Sequence, residues 1–245
     1  MGNCFLHGAG GALTTGIPEF EYTGNYTILD DGDNNWRIKL LTSGTLTFSK
    51  LRGAKNGIDV FLVGGGGGSG ESANCEILTG GSGGGSGYTK TIQAVSVEKD
   101  VSYKIVVGAG GGKKADGGQT SAFGGTADGG YAGFTPEYYT MWNPGANGGS
   151  GGGAGHSGTA YPGGNGGTDG GNGGSNGDRY GGTGQGTTTR EFGEADGQLY
   201  ATGGYGNKSE NGAANTGDGG SNTSMTAGVG YSGGSGIVVI RNKRG

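Results

Sequence analysis

Long glycine tracts with a three-residue period constrain the fold of this chain more than any other feature. Glycine supplies 69 of the 245 residues, and in 145–155 two of every three positions hold only glycine or alanine. A polyproline II helix has three residues per turn and no internal hydrogen bonds. Bare glycine faces would let such helices pack closely and exchange backbone hydrogen bonds, with the third face (Asn147, Ser150) turned outward on edge helices. We predict packed polyglycine helices at 64–70, 80–87, 145–155, 163–177, 203–206 and 228–236.

The alternative is a series of flexible linkers. An ordered glycine costs roughly 0.5–1 kcal/mol relative to alanine, so a dense network of backbone hydrogen bonds is needed before the tracts can fold. A linker has no need of the two-faced register, which favours the packed helices. A transmembrane helix is excluded, because the longest apolar runs, 60–63 and 237–240, fall far short of the ~20 residues that a span needs.

Strand-like runs flank the glycine tracts. They comprise a hairpin of 26–29 and 36–41 across the polar turn 30–35, a half-buried strand at 45–49, a strand covered on both faces at 58–63, a second pair at 89–97 and 101–107, and a last strand at 237–241. No segment has a helical apolar period. We therefore predict an all-β fold with almost no α-helix, in which a β-sandwich from about 20 to 124, completed by 236–241, joins a layered bundle of polyglycine II helices.

Charge and composition exclude several classes of function. The net charge of −4 includes no basic block outside 241–245, which argues against nucleic acid as a partner. The first 36 residues lack Lys and Arg, so we predict no signal peptide and synthesis in the cytoplasm. Two cysteines, Cys4 and Cys75, are too few for a disulfide scaffold, and whether they pair stays open.

No pattern of catalytic, metal-binding or nucleotide-binding residues stands out. The acidic turn at Asp30, Asp31 and Asp33 lacks the glycine position and the distant glutamate of an EF-hand loop, so we predict a solvated turn. No Gly-Lys-Ser/Thr triplet follows a glycine tract. We expect a protein that is not an enzyme and that uses neither a metal nor a cofactor, and we read Arg190 as an ion-pair partner of Glu191 or Glu194.

Several motifs together carry a resemblance to a known family. They are 43–48 (SGTLTF), 57–63 running into the glycines 64–68, 87–91 (GYTKT), 103–111 (YKIVVGAGG), 117–124 (GGQTSAFG) and 233–241 (GGSGIVVIR). In this combination the chain resembles, over 43–241, the glycine-rich domain of bacteriophage tail fibre and tail-tip adhesin proteins. The resemblance implies a domain at the distal end of a tail fibre whose loops contact the host surface. We accordingly divide the chain into an N-terminal attachment segment with a β-hairpin (1–42) and the glycine-rich domain (43–245).

The insert 131–144 holds the most distinctive side chains of the second half. Five of its 14 residues are aromatic, and aromatic rings in loops bury a large area at little entropic cost. The insert either contacts a receptor or caps the glycine layer, and the sequence leaves both open. The candidate receptor-binding residues are Tyr131, Phe134, Tyr138, Tyr139 and Trp142, with Tyr161 and Tyr180 as neighbours.

Other loops between tracts are expected at 71–79, 156–162, 178–180 and 207–216. Because successive antiparallel helices send alternate loops to opposite ends, we expect only about half of these loops to share one tip.

The resulting hypothesis is a structural or adhesive component of a bacteriophage virion that binds a host receptor, either a protein or a glycan, and other tail proteins, without membrane insertion. One alternative is a purely architectural tail protein without a receptor of its own. A more remote alternative is an ice-binding protein, although the outward residues form no regular ladder of threonines.

Overall fold

The structure, a computed structural model, describes residues 16–74, 78–136, 143–155, 161–167, 171–175, 178–182 and 189–244. Within these ranges it contains no α-helix, only 3-10 turns at Arg52–Ala54 and Glu191–Gly193. The strands are β1 (Glu19–Tyr22), β2 (Tyr26–Gly32), β3 (Asn35–Leu40), β4 (Gly44–Lys50), β5 (Ile58–Val63), β6 (Ala73–Asn74), β7 (Leu78–Thr79), β8 (Thr89–Val95), β9 (Ser102–Ile105), β10 (Thr120–Ala122), β11 (Gly125–Ala127) and β12 (Ile237–Asn242). The predicted all-β fold with almost no α-helix is confirmed.

Two antiparallel sheets form the β-sandwich. The larger sheet has the order β2-β3-β12-β5-β8, and the smaller has the order β1-β4-β9, which a bridge between Val106 and Ser121 extends to the β10–β11 hairpin. The core between them is apolar, with Trp36, Phe48 and Ile240 fully buried. The last strand, β12, lies at the centre of the larger sheet between β3 and β5.

Most strand predictions are confirmed, and one is wrong. The hairpin β2–β3 turns at Asp33 and Asn34, whose φ angles of 51° and 63° lie in the left-handed region that Asp and Asn tolerate. Every residue of β5 is buried, as predicted for a strand covered on both faces. The predicted pair 89–97 and 101–107 does not form, because β8 pairs with β5 while β9 pairs with β4 in the other sheet.

The outer face of the larger sheet is covered by residues 189–201, which we call the cap. Phe192 and Tyr200 pack on the ring of Phe61, with centroids 6.0 and 5.5 Å away. Val63 and Val239 complete this second apolar cluster. The cap explains why β5 lacks the alternation of a half-exposed strand.

Ion pairs join the cap to the sheet beneath it. The carboxylate of Glu191, 1% exposed, lies 2.5 Å from Arg37 Nη1 and 3.1 Å from Lys39 Nζ, and it accepts a 2.9 Å hydrogen bond from the Tyr200 hydroxyl. Glu194 pairs with Arg241, which also pairs with the buried Asp59 at 3.2 Å.

The predicted pairing of Arg190 with Glu191 or Glu194 is wrong. Arg190 instead donates to the carbonyl of Gly197 at 3.1 Å, because both glutamates point toward basic residues of the larger sheet.

The glycine tracts form a hexagonal array of polyglycine II helices in three layers. Among the described residues, the central layer holds five segments (108–112, 64–70, 80–88, 150–155 and 171–175). The first outer layer holds four (115–119, 128–134, 143–149 and 161–167), and the second outer layer holds four (229–236, 216–222, 201–206 and 178–182).

Segment 64–70 shows how the array is held together. Its N–H groups donate to three neighbouring segments in turn, with a period of three residues and at distances of 2.8–3.0 Å. Gly64, Gly67 and Gly70 donate to 80–88. Gly65 and Gly68 donate to 115–119, and Gly66 and Ser69 donate to 229–236. Its carbonyls accept from 108–112, 128–134 and 216–222. Six neighbours thus satisfy one helix that makes no internal hydrogen bond, which is the source of stability that the glycine content demands.

Two of the predicted helices are in fact pairs. In 145–155 the Gly152 N–H donates to the Ala146 carbonyl and the Gly155 N–H donates to Asn143, so the tract reverses between Gly149 and Ser150. The tract 163–177 also divides, since Gly173 in 171–175 donates back to Gly164 in 161–167. Glycine lacks a side chain that could mark such a reversal in the sequence.

Other details of the tracts also differ from expectation. Five segments that the sequence did not indicate complete the array, namely 108–112, 115–119, 128–134, 178–182 and 216–222. The first residues of 178–182 were expected to be a loop, but Arg179 and Tyr180 accept backbone hydrogen bonds from Gly206 and Gly174. Ser150 is fully buried in the central layer rather than displayed at an edge, whereas Asn147 is exposed as expected.

Candidate functional site

The connections between helices converge on one end of the bundle, which we call the distal end. Segment 64–70 leaves β5 at Gly64, so its far end at Gly70 defines the end opposite the sandwich. The Gly70 N–H donates to Ser82 at 2.9 Å, and the Ser82 N–H donates to Phe134 at 3.0 Å. These residues, the flanks of two connections, therefore lie at one level.

The same level contains the flanks of the other predicted loops. The Asn143 side chain donates a hydrogen bond to the Gly80 carbonyl. Three backbone N–H groups donate to carbonyls at the same level: Gly155 to Asn143, Ala154 to Gly174, and Gly206 to Arg179. The connections 71–79, 135–142, 156–160, 176–178 and 207–210 thus all start at the distal end. The expectation that only half would share a tip is wrong, because the opposite end is occupied by the sandwich, by short reversals and by the cap. The predicted loop 207–216 is also shorter than expected, since Gly212 donates to Ser232 and Asn215 to Ser235 as the chain runs back toward the sandwich.

The candidate aromatic residues fall on three different segments. Tyr131 and Phe134 lie on the outward face of 128–134, with 55% and 45% of their surface exposed. Tyr161 lies in the same outer layer and is partly buried, whereas Tyr180, 48% exposed, lies in the second outer layer. Tyr138, Tyr139 and Trp142 lie outside the described residues, in the connection that leaves the distal end after Pro136.

Segment 128–134 runs between 115–119 and 143–149 in the first outer layer, and 161–167 lies beyond 143–149. Tyr131 and Phe134 therefore share one surface with Tyr161, while Tyr180 belongs to the opposite surface of the bundle. The sequence predicted these residues as one group, and the structure brings together the first two directly.

Polar side chains that the sequence analysis did not single out surround Tyr131 and Phe134. Asp116 accepts a hydrogen bond from the Ala132 N–H at 2.7 Å, and Asp128 accepts one from Gln119 Nε2 at 2.6 Å. On the other side, Asn147 Oδ1 accepts from the Asn165 N–H at 2.8 Å. These hydrogen bonds hold the polar side chains in place. The outward positions of these residues in the triplet register are the sequence signal that could have identified them.

The base of the distal end is braced by buried amides and an ion cluster. The Asn222 side chain, fully buried, donates to the carbonyls of Gly70 at 2.8 Å and Val229 at 2.9 Å. Glu71 lies 2.7 Å from Lys113 and 3.0 Å from Lys114, and the hydrogen bonds from these lysines lower the pKa of its carboxyl. The first residues of the connection 71–79 are thus held against the bundle.

The described part of the chain shows no group of three His, Cys, Asp or Glu side chains placed to hold a metal ion. It also contains no helix with the length and apolar character needed to span a membrane.

Most of the chain matches a known protein family. A family model described as a glycine-rich domain matches residues 41–243, a range that takes in β4 to β12 and every layer of the bundle. A search of curated proteins found no match.

Proposed function

The chain belongs to this family of glycine-rich domains, and from that premise we propose that it is a component of a bacteriophage tail, at the tip of a fibre or tail, whose distal loops bind a receptor on the host cell. The observation that carries the proposal is that the connections 71–79, 135–142, 156–160, 176–178 and 207–210 all start at the end opposite the sandwich. The assignment to a phage rests on the sequence resemblance over 43–241, since the matched family is defined by its glycine-rich domain alone.

The bundle suits a recognition platform because it is rigid. Each helix of 64–70, 80–88 and 150–155 bonds to six neighbours, so the flanks of the loops have little freedom to move. Binding loops on a rigid scaffold lose less entropy when they engage a partner. The layers therefore hold the flanks of several loops side by side, so that little entropy is lost when the loops bind a partner.

The loop that follows Pro136 is the best candidate for the main contact. It contains Tyr138, Tyr139 and Trp142, and Trp and Tyr are enriched among residues that dominate binding energy. Phe134 and Tyr131, which precede this loop in the chain, are exposed on the bundle. The sandwich end would face the rest of the tail.

In this proposal the protein is made in the host cytoplasm and assembled into the virion tail, where other tail proteins are its second class of partner. It acts by binding alone, without catalysis and without a cofactor.

Binding of the fluorescently labelled full-length protein to a panel of Gram-negative and Gram-positive cells tests the proposal. We expect saturable binding to a restricted set of strains, and we expect the triple variant Tyr138→Ala/Tyr139→Ala/Trp142→Ala to lose at least tenfold in affinity at an unchanged melting temperature. The matched control Tyr26→Ala/Ile28→Ala removes two side chains of 43% exposure from the sandwich and should bind as the parent does.

Other outcomes contradict the proposal in distinct ways. Incorporation into phage particles without binding to any cell would favour an architectural tail protein. A triple variant that melts several degrees earlier would identify the aromatic loop as a structural cap.

A further inference from the structure

The outward face of 115–119, 128–134 and 143–149 has features that go beyond the distal loops. We propose, on the basis of the receptor-binding function above, that this face binds an uncharged polysaccharide of the host surface, with Tyr131 and Phe134 as stacking platforms.

The two rings are spaced by the helix itself. Tyr131 and Phe134 are three residues apart on a helix with three residues per turn, so both project from the same face at a separation of about 9 Å along the axis, from the ~3.1 Å rise per residue. With 55% and 45% of their surface exposed, both side chains are accessible to a ligand. An extended chain of sugar rings presents apolar C–H faces at intervals along its length, which such a row of rings can contact.

Fixed polar groups border the rings on both sides. The carboxylates of Asp116 and Asp128 are each held through Oδ1, by the Ala132 N–H and by Gln119 Nε2, which leaves the Oδ2 atoms to accept from hydroxyl groups. The side-chain oxygen of Asn147, Oδ1, accepts a hydrogen bond from the Asn165 N–H, which leaves the side-chain NH₂ of Asn147 to donate to a ligand. Sugar hydroxyls both donate and accept, and pre-oriented partners of both kinds recognise them without further ordering.

The charge of the face selects the type of polysaccharide. Asp116 and Asp128 flank the rings, and neither has a basic partner among the ion pairs of the described residues. Two uncompensated carboxylates repel phosphorylated or uronic-acid polymers. A neutral glycan is therefore favoured over an acidic one.

Affinity electrophoresis of the intact protein through gels containing defined polysaccharides tests this inference. The probes are the neutral polymers mannan, galactan and dextran, and the acidic polymers alginate and polygalacturonate. We expect retardation by at least one neutral polymer and by neither acidic polymer. Tyr131→Ala/Phe134→Ala should weaken that binding at least tenfold, whereas Tyr131→Phe, which keeps the ring, should stay within about threefold of the parent.

A second variant pair tests the role of charge. Asp116→Asn/Asp128→Asn keeps both Oδ1 acceptors but replaces the two Oδ2 acceptors with NH₂ donors, so it should bind the neutral polymer more weakly than the parent does while gaining retardation by an acidic one. The control Tyr26→Ala/Ile28→Ala should behave as the parent in every gel.

The inference is overturned if no neutral polymer retards the parent protein, or if Tyr131→Ala/Phe134→Ala binds as well as the parent. Should this double variant still bind cells normally while the distal triple variant does not, the receptor-binding proposal stands and this face is not its site. Should the parent bind no cell, the receptor-binding proposal itself fails.

Discussion

Gly66 in the central layer has no room for a methyl group, whereas Gly112, at the end of its segment, does. A Cβ atom on Gly66 would lie 2.0 Å from the carbonyl oxygen of Asp218, whereas a Cβ on Gly112 would meet no atom within 4 Å. Because the obstacle at Gly66 is backbone, Gly66→Ala should lower the free energy of unfolding by about 3 kcal/mol or more. Gly112→Ala should raise it by about 0.4–1 kcal/mol, since alanine restricts the unfolded chain. Urea denaturation measures both, and equal midpoints would contradict the packed array.

Serine has a specific role where it replaces glycine in the bundle. The Ser86 hydroxyl accepts from the Ser150 N–H at 2.7 Å and donates to the Gly87 carbonyl at 3.2 Å, and Ser69 and Ser82 accept from facing segments in the same way. The Ser150 hydroxyl is equally buried but has no partner.

Ser86 and Ser150 form a matched pair for mutation, because both are buried and only Ser86 makes hydrogen bonds through its hydroxyl. Ser86→Ala leaves a buried N–H unsatisfied and should cost about 1–3 kcal/mol of unfolding free energy, while Ser150→Ala removes a buried hydroxyl without a partner and should be neutral or slightly stabilising. Thermal unfolding of the two variants beside the parent distinguishes them. A larger loss at Ser150 than at Ser86 would contradict the hydrogen-bond assignment.

At the scale of elements, side-chain patterns in the sequence predicted most strands and several polyglycine helices. They did not predict the reversals and pairings that depend on backbone contacts. Alternation identified β4, a continuous apolar run identified the fully buried β5, and the triplet register identified several of the polyglycine helices. The reversal at 149–150 and the serine hydrogen bonds depend on contacts between segments distant in the chain, so no local pattern announces them. The pairing of β8 with β5 rather than with β9 has the same cause.

The cap is the element whose stability depends most on pH. Burial alone would raise the pKa of Glu191, but the Arg37 guanidinium, the Lys39 ammonium and the Tyr200 hydroxyl outweigh it, and the net pKa is lowered. A carboxyl with a depressed pKa in the folded state stabilises the fold above its unfolded value, ordinarily about 4.3, and this stabilisation is lost as the pH falls through the folded value.

Glu191→Gln should therefore lower the unfolding free energy by about 2–4 kcal/mol at pH 7, and the difference from the parent should shrink as the pH falls below about 4. Tyr200→Phe, which removes one donor and keeps the ring packed on Phe61, should cost less. Denaturant titrations at pH 7, 5 and 3 measure these differences. A gap between parent and Glu191→Gln that stays constant down to pH 3 would show that the carboxylate charge is not what holds the cap.

At the scale of the whole molecule, the sandwich and the bundle are built from one interleaved chain. The chain enters the bundle from β5, β9 and β11 and returns to the sandwich at β8, β10 and β12. The sequence indicated this long return, since strand-like runs stand at both ends of the glycine-rich region. It did not indicate the shared distal end, because that depends on which reversals are short and which connections are long. Of the candidate site residues that the structure describes, Tyr131 and Phe134 were predicted as members of one group and lie together.

This interleaving makes the last strand essential to the entire fold. Within the larger sheet, β12 pairs with β3 on one side and with β5 on the other, and its fully buried Val238, Val239 and Ile240 contribute to the apolar clusters on both faces. A chain that ends at Gly236 leaves two open strand edges in the middle of a sheet, and the segment 229–236 then loses its anchor. We expect this truncated chain to show no cooperative thermal transition, since a small domain without a central strand has no two-state unfolding to display.

The matched control, a chain that ends at Asn242, keeps β12 whole and loses the pair of Arg244 with Asp31, an exposed pair whose removal should cost no more than about 1 kcal/mol. Circular dichroism against temperature compares the two, and a cooperative transition in the shorter chain would show that the glycine bundle folds independently of the sandwich.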